Sequence, residues 1–261
     1  MHNIHKSQVA LRFAQAGQSY TEHAVVQKHI AQHLYRLMKE YCPNTFEHVF
    51  EIGCGSGNLS YLLLEHLQIQ HLVLNDLYFE VQAHFQGNRP LTWSIGDIEE
   101  LEFPKSLDLI ASSSALQWVS DLDAVLKKAY EALNPQSYLC FSTFGAQNLK
   151  EIKALTGQGL AYFSCEQLQL KLQQQGFEVI HISEQIQPLF FAHPKQVLQH
   201  LKATGVTATA SNFRWTKQTL MDFYMDYRQF CAPDIGVQNQ QGLATYPLTY
   251  HPIFCIARRV L

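Results

Sequence analysis

The chain has 261 residues, which is long enough for one large domain and too short for a string of modules. Hydrophobic residues make up 47% and charged residues 16%, a composition that excludes a disordered chain and predicts a sizeable core. The formal net charge of -3 excludes a broad electrostatic attraction to nucleic acid or to an anionic membrane, although it is compatible with a local basic patch.

We predict an amphipathic helix within the N-terminal 45 residues. Apolar residues recur at helical spacing between Ser19 and Tyr41, and Ser19 with Glu22 forms a capping-box pattern at the start. From His48 onward, short apolar runs alternate with helical patterns, which predicts β-α-β-α units and a parallel sheet. The predicted strands are residues 48–53, 71–76, 91–95, 107–113 and 138–144, and the predicted helices are 58–67, 79–85 and 121–133.

The last third of the chain completes the predicted sheet and adds an insertion to it. A helix over 164–175, a strand over 178–186 and a final strand over 253–260 bring the predicted total to seven strands. The stretch 193–245, with helical patterns at 195–203 and 216–230, does not fit the alternation. We expect a single domain over 1–261, with 1–45 as a helical lid and 193–245 as a helical cap over the substrate.

The cysteines and the chain start predict the compartment. The six cysteines are scattered without a C-x-x-C pair, a spacing that favours reduced thiols over a zinc site or disulfides. The first residues are polar, no apolar signal core follows them, and no run of about 18 apolar residues occurs. We therefore expect a cytoplasmic protein without a bound metal.

Residues 49–58 carry the most chemical information. There a strand containing Glu51 leads into glycines at every second position, Gly53, Gly55 and Gly57, and then into a helix. Glycine lacks a Cβ, so it permits a tight turn and leaves main-chain amides bare beside a nucleotide-like ligand. The spacing differs from the dinucleotide fingerprint G-x-G-x-x-G. A purely structural turn is the alternative interpretation.

Two further acids end the next two predicted strands. Asp76 is placed to accept hydrogen bonds from both ribose hydroxyls of such a ligand. Asp97 is placed to accept from an adenine amino group while Ile98 packs on the ring. Either acid alone is equally compatible with a helix cap or a solvated loop. Because three successive strands each end in a carboxylate, the series favours ligand binding.

Together, the glycine turn, the ribose acid and the Gly96-Asp97 pair resemble the class I methyltransferases, which depend on S-adenosyl-L-methionine (AdoMet). The resemblance implies an α/β, Rossmann-like, seven-stranded sheet of order 3-2-1-4-5-7-6, with an antiparallel last strand preceded by the helical insertion. It implies AdoMet as the cofactor. The cofactor-binding residues that it implies are Tyr20, Glu51, Gly53, Gly55, Gly57, Asp76, Leu77, Asp97, Ile98, Ser112 and Ser113.

Further matches narrow the resemblance to the malonyl-acyl carrier protein O-methyltransferases of biotin synthesis. One departure is Leu77-Tyr78, where relatives commonly carry a serine soon after the ribose acid. The matching residues are Phe13, Tyr20, Ala24 and Gln27, the runs 96–101 and 115–118, the L-K-x-x-G pattern at 201–205, and Y-P-L-T-Y-H at 246–251.

The narrower resemblance implies methyl transfer from AdoMet to the free carboxylate of a malonyl thioester. Because a carboxylate is ionised at neutral pH, we expect no general base, and acceleration mainly from alignment of the reacting atoms. The expected partner is a malonyl-acyl carrier protein or malonyl-CoA, and the expected state is a monomer. The candidate catalytic residues are Tyr20, Lys202, Arg214, Tyr246 and Tyr250, and the candidate docking cations are Lys195, Lys202, Arg214 and Lys217.

Other functions compete with this interpretation. A methyltransferase for a free carboxylic acid, similar to trans-aconitate methyltransferase, and a non-catalytic AdoMet-binding module both fit the same residues. The glycine spacing and the third acid disfavour an NAD-dependent oxidoreductase. The net charge, and the absence of an Asn-Pro-Pro-aromatic element for a flipped base, disfavour a nucleic-acid methyltransferase.

Overall fold

A computed structural model describes residues 24–85, 91–205, 215–231 and 245–261. Tyr20, Arg214, and the predicted start of the first helix at Ser19 lie outside these residues. The first half contains α1 (Val25–Tyr41), β1 (Thr45–Ile52), α2 (Ser60–His66), β2 (Gln68–Asp76), a 3-10 helix (Phe79–His84), β3 (Thr92–Ile95), β4 (Leu107–Ser113), a 3-10 helix (Leu116–Trp118), α3 (Leu122–Ala132) and β5 (Leu133–Phe144). The second half contains α4 (Lys150–Thr156), α5 (Cys165–Gln174), β6 (Phe177–Glu184), β7 (Gln187–Phe191), α6 (Pro194–Ala203), α7 (Lys217–Asp226), a 3-10 helix (Tyr227–Phe230), β8 (Tyr246–Tyr250) and β9 (Pro252–Arg259).

The main sheet has seven strands in the order β3-β2-β1-β4-β5-β9-β6. Strands β1 to β5 pair in parallel, and β9 is antiparallel to both of its neighbours, β5 and β6. Since β9 is the seventh strand of this sheet along the chain, the predicted order 3-2-1-4-5-7-6 is confirmed. In a parallel sheet of this kind, ligands bind at the carboxyl ends of the strands, where the order reverses between β1 and β4.

The remaining two strands, β7 and β8, form a separate antiparallel pair. The sequence pattern does not predict either strand, because each contains a proline, which cannot donate a ladder hydrogen bond. Pro188 and Pro247 are tolerated here because, among the described residues, each strand has a partner on one side only. Helices α6 and α7 lie between these strands in the sequence, so the predicted insertion contains helices as expected but is framed by a β-ribbon.

Helices cover both faces of the main sheet, as a parallel sheet requires. On one face, α1 buries Ile30 and Leu34 completely. On the other face, Leu126 of α3 and Leu172 of α5 are equally buried. Of the helices in the described ranges, none combines the length and the apolar content needed to cross a bilayer.

A single residue, His251, joins β8 to β9 and is almost completely buried. Its Nδ1 accepts a hydrogen bond from the amide of Gln147 at 3.1 Å, and its Nε2 lies 3.0 Å from a carboxylate oxygen of Glu184. Its own amide donates to Oδ1 of Asn148 at 3.2 Å. The two-stranded pair is thereby anchored to the main sheet near the carboxyl ends of β5 and β6.

Candidate active site

A cavity opens at the carboxyl ends of β1, β2, β3 and β4. It encloses about 1150 Å³ of space, part of which is open to solvent. This is the edge of the sheet at which the glycine turn and the three predicted acids converge. Eight of the residues predicted to bind the cofactor line it: Glu51, Gly53, Gly55, Asp76, Leu77, Asp97, Ile98 and Ser113.

The glycine turn after β1 needs glycine both for its backbone conformation and for the close approach of a neighbouring loop. Gly53 and Gly55 have φ angles of +68° and +52°, which residues with a side chain rarely adopt. A Cβ on Gly53 would lie 2.3 Å from the Cβ of Ala115, so only glycine lets the loop after β4 approach the turn. A Cβ on Gly55 would meet nothing within 4 Å. The turn therefore exposes bare backbone to the cavity.

Two residues predicted to bind the cofactor lie outside the cavity lining. A Cβ on Gly57 would lie 2.6 Å from Cε2 of Tyr61, so this glycine makes room for an aromatic ring of α2. Ser112 is completely buried, and its hydroxyl donates to the carbonyl of Ile52 at 2.9 Å. Both residues support the wall of the cavity from behind.

Both carboxylate oxygens of Asp76 accept hydrogen bonds from the main chain. Its Oδ2 accepts from the amide of Gly55 at 2.8 Å, and its Oδ1 accepts from the amide of Leu77 at 2.7 Å. Burial raises the pKa of Asp76 to about 6, although the hydrogen bonds from these amides lower it. A carboxylate held by main-chain amides at the wall of the cavity is suited to accept hydrogen bonds from the hydroxyls of a ribose.

Glu51 is 1% exposed, and its Oε2 has no hydrogen-bond partner among the described residues. Burial raises the pKa of Glu51 to about 8; the nearby Ser60 hydroxyl lowers it, and the charge of Asp76 raises it further. A buried acceptor without a donor is costly unless a ligand supplies one. AdoMet carries an ammonium group, so this vacant acceptor fits the cofactor that the resemblance implies.

The loop after β3 forms the opposite wall. Oδ1 of Asp97 accepts from the amide of Glu99 at 3.0 Å, and Ile98 contributes an apolar surface suited to an adenine ring. The Glu99 carboxylate accepts from the amides of Ser120 and Asp121 at 2.9 Å and 2.8 Å. These bonds attach the loop to the start of α3 and fix its position.

A second, smaller cavity adjoins the first, with about 420 Å³ of space, part of which is open to solvent. Gln27, Ser114 and Trp118 line both cavities and therefore form the wall between them. In the part of the chain that the structure describes, three buried atoms of its lining have no hydrogen-bond partner: Oε1 of Gln27, Oγ of Ser114 and Oε1 of Gln117. Unsatisfied polar atoms of this kind indicate a site for a polar ligand.

The predicted substrate residues are distributed unevenly. Tyr250 lines the second cavity, and its hydroxyl lies 2.8 Å from Nε2 of His200. Tyr246 is half-buried against the ring of Tyr227, with ring centroids 6.0 Å apart, and lines neither cavity. Lys202 is exposed on α6 and also lines neither cavity. The structure brings only Tyr250 of the described candidates to the second cavity.

Residues of the shared wall received no role from the sequence patterns, although signals for them exist. Gln27 is a polar residue on the apolar face of α1, between Val26 and Ile30. Ser114 ends a run of three serines, of which the first two are the last residues of the strand β4. A polar residue at a core position, or successive hydroxyls at a strand end, would have pointed to them.

Comparison with known proteins places the chain among methyltransferases. Residues 21–182 match a family model described as a methyltransferase domain. A malonyl-[acyl-carrier protein] O-methyltransferase of Acinetobacter baylyi is 51% identical over 98% of this chain and 98% of its own length. A protein of the same name from Bacteroides helcogenes is 37% identical over 97% of this chain and 98% of its own length. In fold, the chain is similar to the YcgJ protein of Bacillus subtilis, with a TM-score of 0.62, 15% identity, and coverage of 88% of this chain and 99% of that one.

Proposed function

Because this chain belongs to the malonyl-[acyl-carrier protein] O-methyltransferase family, we propose that it methylates the free carboxylate of a malonyl group carried by an acyl carrier protein. The product is the malonyl methyl ester, formed early in biotin synthesis. The structural observation that carries the proposal is the pair of adjoining cavities. One has the acids and bare backbone that suit AdoMet, and the other has neutral hydrogen-bonding groups that suit a small acyl acceptor.

When bound, AdoMet supplies an electrophilic methyl group on a positively charged sulfur. Asp76 would hold its ribose hydroxyls, Glu51 would accept from its ammonium group, and Ile98 would pack on its adenine. The bare backbone of the glycine turn leaves room for the ligand against β1. These assignments follow from donor and acceptor chemistry at the wall of the first cavity.

The chain contributes orientation to the reaction and has no need to move a proton. A malonyl carboxylate is already ionised, so its oxygen attacks once it is held in line with the methyl carbon and the sulfur. Orientation of this kind is worth about 7–11 kcal/mol in favourable cases. Trp118 lies in the wall shared by the two cavities and helps to exclude water from the place where they meet.

We also propose how the enzyme meets its partner. Lys195 and Lys202 on α6 and Lys217 on α7 are exposed, and an acidic carrier protein would be attracted to such cations despite the negative net charge. We propose that the enzyme acts as a monomer in the cytoplasm. All six cysteines are free thiols, which suits a reducing compartment.

An acceptor comparison tests the proposed function. The purified enzyme is given AdoMet with malonyl-carrier protein, malonyl-CoA, trans-aconitate or free malonate, and formation of methyl ester and S-adenosylhomocysteine is followed. We expect turnover with the malonyl thioesters and the highest kcat/KM with the carrier protein. Turnover of a free acid alone would replace the proposal with a small-acid methyltransferase. AdoMet binding without turnover of any acceptor would identify a non-catalytic module.

A further inference from the structure

We infer that Ser114 binds the malonyl carboxylate through its hydroxyl, in the wall between the two cavities. The inference rests on the proposed function and deepens it, because it names a residue that contacts the acceptor. Ser114 lines both cavities, so a group held there lies where the methyl group must pass from the cofactor to the acceptor.

The backbone of Ser114 is held in an unfavourable conformation. Its φ angle is +57°, in the left-handed region that glycine adopts far more readily than serine. The Ser114 amide donates to the carbonyl and to the hydroxyl of Ser142, both at 3.1 Å. Nε2 of Gln117 donates to the Ser114 carbonyl at 2.6 Å. Glycine would adopt this conformation more easily, so serine at this position carries a backbone cost.

The hydroxyl of Ser114 is buried and has no hydrogen-bond partner within the described ranges. Leaving a buried hydroxyl without a partner is unfavourable, and a ligand that accepts a hydrogen bond from it removes this cost. A carboxylate oxygen is such an acceptor. The hydrogen bonds that join the Ser114 backbone to Ser142 and Gln117 hold this residue in place before the substrate binds. Less conformational entropy is therefore lost on binding.

The rest of the second cavity supports a carboxylate held by neutral donors. Its described lining contains no lysine, arginine, aspartate or glutamate. The Tyr162 hydroxyl accepts from Nδ2 of Asn148 at 2.9 Å, so its own proton is available to a further acceptor. Burial raises the pKa of Tyr162 to about 12, which keeps that proton in place at neutral pH. Two hydroxyls, of Ser114 and Tyr162, therefore line the cavity as donors.

Neutral donors suit this reaction better than a cation would. One carboxylate oxygen accepts from Ser114, and the other forms a bond to the methyl carbon while the bond from that carbon to sulfur breaks and its electron pair remains on sulfur. No proton is transferred. A lysine or arginine paired with the carboxylate would withdraw electron density from the attacking oxygen, whereas hydroxyl donors orient it with a smaller loss of nucleophilicity.

The test compares Ser114→Ala and Ser114→Gly with a matched control, Ser106→Gly. Ser106 is also a serine with positive φ, +56°, but it is exposed and lines neither cavity. We expect both Ser114 variants to raise KM for malonyl-carrier protein by about tenfold or more, the usual effect of losing a hydrogen bond to a charged group. The affinity for S-adenosylhomocysteine, measured by calorimetry, should stay unchanged, and Ser106→Gly should change neither quantity.

A binding measurement gives a readout that is independent of turnover. In the presence of S-adenosylhomocysteine, the wild type should bind malonyl-carrier protein more tightly than acetyl-carrier protein, which lacks the distal carboxylate. Ser114→Ala should lose most of this preference.

The inference is overturned if both variants keep a normal KM, if Ser114→Gly alone keeps a normal KM, or if the affinity for S-adenosylhomocysteine falls while KM rises. The second result would assign Ser114 a backbone role, and the third would place it in the cofactor site. In each case a wild type that methylates malonyl-carrier protein leaves the proposed function intact. A wild type that methylates no malonyl thioester overturns both.

Discussion

Gly53 is the residue on which the geometry of the first cavity depends most directly. Its φ angle of +68° and the 2.3 Å separation between an added Cβ and the Cβ of Ala115 are two separate obstacles to a side chain. Gly157 provides a comparison with one obstacle only, because its φ is +66° and an added Cβ would meet nothing within 4 Å. The pair therefore separates backbone strain from close approach.

We expect Gly157→Ala to lower the free energy of unfolding by about 1–2 kcal/mol, the cost of a left-handed alanine. Gly53→Ala should lose that amount and about 1–3 kcal/mol more from the overlap, and it should weaken binding of S-adenosylhomocysteine. Denaturant unfolding and calorimetry measure the two effects. Equal stability of the two variants would mean that the loop after β4 moves aside at no cost.

Glu51 predicts a pH dependence of stability. Its folded pKa of about 8 lies above the ordinary value of 4.5, so between these values the folded state binds more protons than the unfolded state. The stability of the unliganded wild type should therefore fall as pH rises through this window. Glu51→Gln lacks the titration, so its stability relative to the wild type should increase from about pH 5 to about pH 8.

Thermal unfolding of the wild type and of Glu51→Gln, from about pH 5 to about pH 8, measures the difference in stability between them. A constant difference between wild type and Glu51→Gln would show that Glu51 titrates alike in both states. The same variant should bind S-adenosylhomocysteine more weakly, because a neutral amide would replace the carboxylate that we propose as the acceptor for the ammonium group of the ligand.

The predictable part of the site is the part that lies on regular elements. Glu51, Asp76 and Asp97 each lie within two residues of the end of a strand, so the alternation of strands and helices was sufficient to bring them to one edge of the sheet. Ser114 and Gln27 join the site through the packing of a loop and a helix, which no local pattern specifies. Gly57 belongs to the same motif as Gly53, yet only the structure reveals that it faces Tyr61.

At the scale of elements, α6 is the surface on which carrier-protein docking can be tested. Lys195 and Lys202 are exposed on this helix, whereas Lys105 is exposed just before β4, at the amino ends of the parallel strands. Lys195→Glu combined with Lys202→Glu should raise KM for malonyl-carrier protein several-fold at low salt, because long-range attraction becomes repulsion. KM for malonyl-CoA should change little.

Lys105→Glu is the control for this change of charge. It should leave KM for both acceptors unchanged, and added salt should reduce the difference between the double variant and the wild type. A double variant with a normal KM for the carrier protein at low salt would move the docking surface away from α6.

The elements that escaped prediction share one physical cause. The β-ribbon of β7 and β8 is held by pairing over a long sequence separation, and its prolines conceal it from any local pattern. The 3-10 helix at Phe79–His84 takes the place of the helix predicted over 79–85, because this short segment forms only a few turns. By contrast, the strands of the main sheet are continuous apolar runs, which are the signal that a doubly covered strand produces.

At the scale of the whole molecule, cofactor binding should stabilise the fold. A ligand that binds only the folded state adds about 2.7 kcal/mol at a hundredfold excess over its Kd. For a chain of this size that corresponds to an increase in Tm of roughly 5–10 °C. We expect S-adenosylhomocysteine to produce such a shift and NAD to produce none, as differential scanning fluorimetry would measure. A shift with NAD alone would contradict the assignment of the first cavity.

The one-residue junction at His251 has a consequence for how the acceptor is received. Tyr250 lines the second cavity, and the next residue but one, Pro252, already belongs to β9, which pairs with both β5 and β6 in the main sheet. Because His251 is held by hydrogen bonds to three other residues, the wall of the second cavity formed by Tyr250 is fixed rigidly to the main sheet. We therefore expect the acyl chain to meet a preformed surface here, with discrimination among acyl groups at this wall arising from shape rather than from induced closure.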